Sequence, residues 1–361
     1  MWAGQALSII GDQLGRTALA VLVYERTSSP LLTAVTYAGS FLPWLAGGLV
    51  LAAVADRWPR RRVLVTCDAA RGVLVAVMAA PGMPLPAMVA LLYAVSLLDA
   101  PFTAARAATY ADILPGDRYP AGIAVATTTG MVAVIVGFAA GGILAGTAGP
   151  RPALAADAVT FAVSALLIRF AIAARPAAAA PEPVRARVTA GIRLVYGDRR
   201  LRTFMLFGCL VALYTVPSAL AVPLAASLGG GPAAAGLLFA AGPAGTAAGT
   251  AAAARRVTSR QMGPLAALCC GSLALFLARP GLAWSLAIIA ASGAFGCYQV
   301  AANTGLMRPL QRAQQARAFG VATASIWTSQ GLAYLAAGAA ADVLPPAVVP
   351  TISQFPRGAI T

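Results

Sequence analysis

Apolar segments of about 20 residues recur along the whole chain, and each is long enough to cross roughly 30 Å of hydrocarbon as a helix. Inside a bilayer every backbone polar group must be satisfied internally, so such segments fold as helices or close into a barrel. Barrel strands would alternate apolar and polar residues over about 10 positions, and no such alternation is present. The chain is therefore expected to be an all-α, multi-pass membrane protein. Its composition agrees: 60% of its 361 residues are hydrophobic and 10% are charged.

All 26 basic residues are arginine, and the net charge is +15. A charge of this size suits a nucleic-acid binder, but the arginines sit in short loops between apolar segments. Topology and contact with anionic lipid explain them better, and no nucleic-acid partner is expected. Arginine usage together with heavy alanine usage suggests a high-GC bacterial genome. The five cysteines lie inside apolar segments without a CxxC pair, so neither a disulfide framework nor a metal site is indicated. Met1 leads directly into an apolar segment with no basic start and no A-x-A site, so no cleavable leader is expected.

Eleven spans are expected, at about Trp2–Tyr24, Leu31–Val54, Val63–Ala80, Ala87–Thr109, Ile123–Thr147, Ala153–Ala173, Thr203–Leu224, Ala233–Ala254, Pro264–Ala278, Leu282–Leu306 and Ala318–Leu344. The even-numbered loops carry nearly all the arginine, including Arg57, Arg60, Arg61 and Arg62 after span 2. The odd-numbered loops hold only Arg26, Arg151 and Arg279. Even-numbered loops and the N-terminus are therefore expected in the cytoplasm of a bacterial inner membrane.

The chain also repeats in parallel. GGLVLAAVADRWPRRR from Gly47 corresponds to GTAAGTAAAARRVTSR from Gly245, placing Arg57 on Arg255 and Arg62 on Arg260. FAAGGILAG from Phe138 parallels LAAGAAAD from Leu335. A six-helix bundle over 1–174 and a second bundle over 203–344 follow, joined by a polar region at 175–202. There Val188, Ile192 and Val195 share one face of an amphipathic helix. Residues 345–361 are too short and polar to span, so a twelfth helix demanded by the repeat is not supplied.

The stretch from Ala52 to Leu64 resembles the major facilitator signature between helices 2 and 3, G-x-L-a-D-r-x-G-r-k-x-x-l. Asp56, Arg57, Arg60 and Arg61 match, while Ala52 and Pro59 replace the two glycines. GQALSIIGDQLGRTALAVLVYERTSSPLLTA and PFTAARAATYADILP resemble the exporter branch that includes the enterobactin exporter and macrolide efflux proteins. The resemblance implies twelve helices in two bundles, alternating access and drive by proton exchange. It also implies a cytoplasmic latch of Asp56, Arg57, Arg60 and Arg61, with Asp56 pairing to nearby arginines and to the start of the last span near Ala318.

Ionisable residues inside spans are costly and are functional candidates by default. Asp12 and Arg16 are four apart on one face of span 1. They read either as a proton-coupling pair or as a permanent ion pair. Asp99 and Arg106 share a face of span 4 and are the second coupling candidates. Asp68 and Arg71, three apart, read as structural support near the basic loop, Asp157 as an acid favouring a helix N-terminus, and Asp342 as interfacial. Gln13, Tyr214, Tyr298, Gln299, Asn303, Trp327 and Gln330 are candidates to line a substrate cavity. Trp284 reads either as cavity lining or as part of an interfacial belt. Gly130, Gly137, Gly141, Gly142 and Gly146 in span 5 permit close helix approach.

With no histidine, no phosphate-binding loop and no GxSxG, neither an enzyme nor a cofactor is expected. The expected function is proton-coupled efflux of amphipathic small molecules by a monomeric transporter. The alternatives are a lipid or lysolipid flippase, or a truncated, non-transporting membrane protein.

Overall fold

The computed structural model describes residues 2–41, 43, 58–114, 118–172, 184–253, 258–307 and 309–343. Among them the secondary structure is entirely helical. The helices are α1 (Trp2–Thr27), α2 (Pro30–Ala38), α3 (Arg60–Met78), α4 (Leu85–Ile113), α5 (Arg118–Thr147), α6 (Pro150–Ala171), α7 (Val184–Gly197), α8 (Arg199–Cys209), α9 (Val211–Tyr214), α10 (Val216–Ala219), α11 (Ala221–Ser227), α12 (Pro232–Ala253), α13 (Met262–Gly271), α14 (Leu282–Phe295), α15 (Tyr298–Met307) and α16 (Arg312–Ala341). Short 3-10 turns at Ser259–Gln261 and Ser272–Ala278 flank α13.

Among the described residues, six stretches are long and apolar enough to cross a membrane: Trp2–Thr27, Leu85–Tyr110, Ala121–Thr147, Pro150–Ala171, Arg199–Ala219 and Leu282–Met307. Helix α3 is not one of them, because Arg60, Arg61, Arg62, Asp68 and Arg71 fall within its 19 residues.

Local chemistry sets the helix ends. The Ser29 hydroxyl accepts the Leu32 N–H at 3.2 Å and Pro30 opens α2, a proline where no intrahelical donor is needed. Asp198 caps α8 by accepting from the N–H groups of Arg200 (2.7 Å) and Leu201 (3.3 Å), with its charge at the positive helix end.

The seventh expected span is not one helix. It is divided at Leu210, Thr215 and Leu220 into α8–α11. Pro217 and Pro223 withhold N–H groups there, and 3-10 bonds such as Ser218 N–H to Thr215 C=O (2.9 Å) take up part of the slack. The tenth span breaks at Gly296. A Cβ on Gly296 would stand 3.1 Å from the Tyr214 hydroxyl, so the break also gives passage to that side chain.

In the first half α1 packs on α5 and α6, and α3 packs on α4 and α6. In the second half α12 lies on α14, with Gly245 and Gly249 against the backbone of Ala290 and Ala294. Small residues allow that approach in a bilayer, where burial of apolar surface gives no advantage over lipid. Helix α7 lies within the polar region between the two halves of the chain. Its Val195 is buried with Leu201, Met205, Leu306 and Ala318 against α16, while Ile192 is exposed.

The halves meet away from the arginine-rich loops, at what we call the far end. Helix α5 lies on α12, where a Cβ on Gly142 would come within 2.6 Å of the Gly236 Cα. Helix α2 lies on α16, where a Cβ on Gly338 would come within 2.4 Å of the Ala34 methyl. An aromatic cluster fills the seam. Phe138 stacks on Phe239 (5.2 Å between ring centres) and Phe41 on Trp327 (5.1 Å), and Tyr37 touches Tyr334 and Phe239. The Asp342 carboxylate, after the end of α16, accepts the Leu31 N–H at 3.2 Å, so one half caps a helix of the other.

Candidate functional site

Arg71 lies in the middle of α3, with its side chain fully buried. A guanidinium is always charged and is expensive to remove from water without partners. Three aspartates from three helices surround it. Asp68, three residues back on the same helix, is ion-paired to one terminal nitrogen. The other terminal nitrogen lies 3.2 Å from the Asp99 carboxylate on α4 and 3.6 Å from that of Asp12 on α1. The guanidinium also lies over the rings of Phe102 (4.4 Å) and Phe161 (4.6 Å), adding cation–π contacts from α4 and α6. Asp68 also accepts the Ser164 hydroxyl at 2.7 Å. Arg71 Nε is left without a hydrogen-bond partner.

Beside this cluster is a cavity of about 20 Å³ bordered by Asp12, Arg16, Ser96, Asp99 and Asp157. That is room for about one water molecule rather than for an organic cargo. Asp157 is only 3% exposed. Its carboxylate occupies a slot on α1 that exists because two residues there are glycine. A Cβ on Gly15 would come within 2.1 Å of Asp157 Oδ2, and one on Gly11 within 2.5 Å of Oδ1. Its burial differs from the sequence expectation of an acid merely favouring a helix start.

The coupling candidates divide. Asp12 and Asp99 both reach the cluster, but their common cation is Arg71, which the sequence pattern assigned to structural support. Arg16 borders the cavity and places its guanidinium over the Phe41 ring at 5.7 Å, so the expected Asp12–Arg16 pair is not the contact made. Arg106 places its guanidinium over the Phe102 ring at 5.7 Å. Phe102, Phe161, Ser164 and Asp157 are the participants that sequence reasoning missed. The rule that flagged Asp12 applies equally to Asp157, Asp68 and Arg71.

Of the latch residues, Asp56 and Arg57 lie outside the described residues. Arg60 is ion-paired with Asp112 and donates to the Ala108 carbonyl (3.1 Å), and Arg61 donates to the Ile172 carbonyl (3.2 Å). Both arginines thus close the C-terminal ends of α4 and α6, where cations offset the exposed carbonyls.

The cavity-lining candidates also divide. Tyr214 and Tyr298 are buried edge to face at 6.4 Å, and Gln299 donates to the Gly208 carbonyl (3.0 Å) and the Tyr298 hydroxyl (3.3 Å), so these three hold helices together. Gln13 is buried against Gly137 with its Oε1 unpartnered. Trp327 packs into the aromatic seam, and Gln330 is buried on the same helix. Asn303 is exposed. Trp284 is 71% exposed.

The sequence profile of the Major Facilitator Superfamily matches residues 1–344. The chain belongs to the major facilitator superfamily. No curated sequence matches it. Among solved structures it is similar to a bacterial homologue of the human lysosomal transporter Spinster, in an inward-facing and unoccupied conformation. That likeness has a TM-score of 0.76 and 15% identity, over 95% of this chain and 82% of that one. It is also similar to the nucleoside transporter NupG (TM-score 0.72, 15% identity, 97% of this chain and 94% of that one). A third likeness is to a POT family transporter in complex with 5-aminolevulinic acid (TM-score 0.75, 8% identity, 98% of this chain and 92% of that one). The chain is thus a multi-pass membrane protein with the fold of a secondary transporter. The Arg71 cluster lies within the first half of that fold, on α1, α3, α4 and α6.

Proposed function

We propose that this major facilitator protein is a proton-coupled exporter of amphipathic organic molecules, working by alternating access in a bacterial inner membrane. The observation that carries the coupling is the Arg71 cluster. Four carboxyls (Asp12, Asp68, Asp99 and Asp157) gather around two guanidiniums, Arg71 and Arg16. If all four ionise, the site carries two excess negative charges, and protons are the simplest compensation. The water-sized cavity borders both Asp12 and Asp99, room for one water to carry a proton to either. Asp68 is sealed by Arg71 and Ser164 and serves as the fixed counter-charge, while Asp12 and Asp99 exchange protons.

Arg16 connects that chemistry to the shape of the protein. It borders the cavity and lies on Phe41, and Phe41 stacks on Trp327 of the other half. A change in the charge near Arg16 therefore acts directly on the seam between halves, which is the element with two arrangements. The arginine-rich loops are assigned to the cytoplasm by the positive-inside rule, which makes the closed far end external and this conformation inward-facing. Asp56 and Arg57 complete the cytoplasmic latch with Arg60 and Arg61 on this reading. The paucity of charge among Trp327, Gln330 and Asn303 suits an amphipathic cargo of the drug or siderophore type. The exporter-like stretches at Gly4–Ala34 and Pro101–Pro115 support the same branch.

The test is a drug-susceptibility panel in an efflux-deficient host, with and without a protonophore, for the wild type and Asp12→Asn. Protection that vanishes with the protonophore and with Asp12→Asn is expected. Undiminished, proton-driven protection by Asp12→Asn overturns the coupling role, and no protection against any compound overturns the exporter reading.

A further inference from the structure

A second cavity, about 260 Å³, opens at the far end between the end of α1 and the α11–α12 turn. It is bounded by both halves, by Val21, Tyr24 and Glu25 on one side and Val222, Ala226 and Pro232 on the other. Glu25 is the only charged side chain lining it, and among the described residues Glu25 forms no ion pair. The adjacent Arg26 is turned away, donating to the Met83 carbonyl at 2.9 Å. The wall that holds Glu25 is fixed by a strained turn. Ser28 takes a left-handed φ of 51° and donates its N–H to the Tyr24 carbonyl at 2.7 Å. Such conformations are costly for a residue with a side chain and persist where the surroundings impose them.

We propose that this cavity binds a small organic cation, an amine or quaternary ammonium bearing an apolar group, and binds it only while the far end is closed. The Glu25 carboxylate selects positive charge and repels anions. The Tyr24 ring offers the aromatic surface that ammonium groups favour. The valine, alanine and proline walls take the hydrocarbon part. The volume is below the roughly 300–1,000 Å³ of sites for drug-sized ligands, so the occupant is small. Because the walls belong to opposite halves, parting the halves dismantles the site. A ligand with that preference shifts the population toward the closed far end. This last step rests on the alternating-access reading above; the binding site itself does not.

The experiment is calorimetric titration of the purified full chain in detergent with benzyltrimethylammonium, and with benzenesulfonate as the anionic counterpart. The cation is expected to bind saturably at one site and the anion not at all. Glu25→Gln is expected to weaken binding by about tenfold or more, since it removes a charge-assisted contact. Equal affinity in Glu25→Gln, or no saturable binding in the wild type, overturns the site. Gly142→Leu forces α5 from α12 and is expected to lose binding. In the wild type the cation is expected to slow amide exchange in the far-end segments 30–38 and 332–341. Undiminished binding by Gly142→Leu, or unchanged exchange with the cation bound, overturns the closed-state preference. The assay needs no cargo and no proton gradient, so its result is independent of the efflux assay.

Discussion

Replacing Arg71 with methionine tests whether the cluster is held together as its geometry indicates. Methionine keeps apolar contact with Phe102 and Phe161 but leaves Asp12, Asp68 and Asp99 facing one another without their shared cation. Removing one partner of a buried ion pair costs about 3–5 kcal/mol, chiefly because the remaining charge is uncompensated. Each lost cation–π contact adds about 0.5–2 kcal/mol, partly offset by the new methionine–ring contacts. Arg71→Met is therefore expected to lose at least about 3 kcal/mol at pH 8. Adding Asp68→Asn removes the most enclosed of the orphaned carboxyls and should return about 1 kcal/mol or more, within the usual 0.5–3 kcal/mol coupling of contacting residues. The assay is reversible unfolding in mixed micelles followed by tryptophan fluorescence. The reasoning is refuted if Arg71→Met lies within about 1 kcal/mol of the wild type at pH 8, or if Asp68→Asn adds to its loss.

Three further outcomes are expected. Gly15→Ala drives a methyl group into the Asp157 carboxylate, an overpacking cost of about 1–3 kcal/mol that Asp157→Ala should largely relieve in the double variant; unfolding of the single and double variants measures it. Asp342→Ala removes the cap that α2 receives from the other half, and a helix-end charge worth about 0.3–1 kcal/mol should shift the balance about two- to fivefold away from the closed far end, read by cysteine labelling there. Asp56→Asn should leave membrane insertion intact while reducing transport; an equal loss of membrane protein would mark Asp56 as a folding residue instead.

Much of the architecture was legible in the residues. A run of apolar residues spanning about 30 Å admits few structures in a bilayer, so the described residues are helical as the hydropathy required, although among them six stretches rather than eleven are long and apolar enough to span. Where an expected span is broken, the cause is local. Pro217 and Pro223 divide the seventh span, and Gly296 the tenth. The period of Val188, Ile192 and Val195 falls on α7, where Val195 is buried but Ile192 is exposed, so the shared face is not buried as a whole. The signature around Asp56 identified the superfamily.

The site was legible only in part, for a physical reason. Helical periodicity tells which residues share a face of one helix, so sequence could pair Asp12 with Arg16 and Asp99 with Arg106. It could not tell that Asp12 and Asp99 would meet Arg71, because that depends on three helices crossing at one depth. Nor could it show that Gly11 and Gly15 open a slot for Asp157 on a neighbouring helix. Sequence by itself determined that charges would be buried in a membrane bundle, since those residues lie within apolar segments. Tertiary structure alone decided which of them are neighbours, since the energy of a buried charge depends on what stands within a few ångströms of it rather than on its place in the chain.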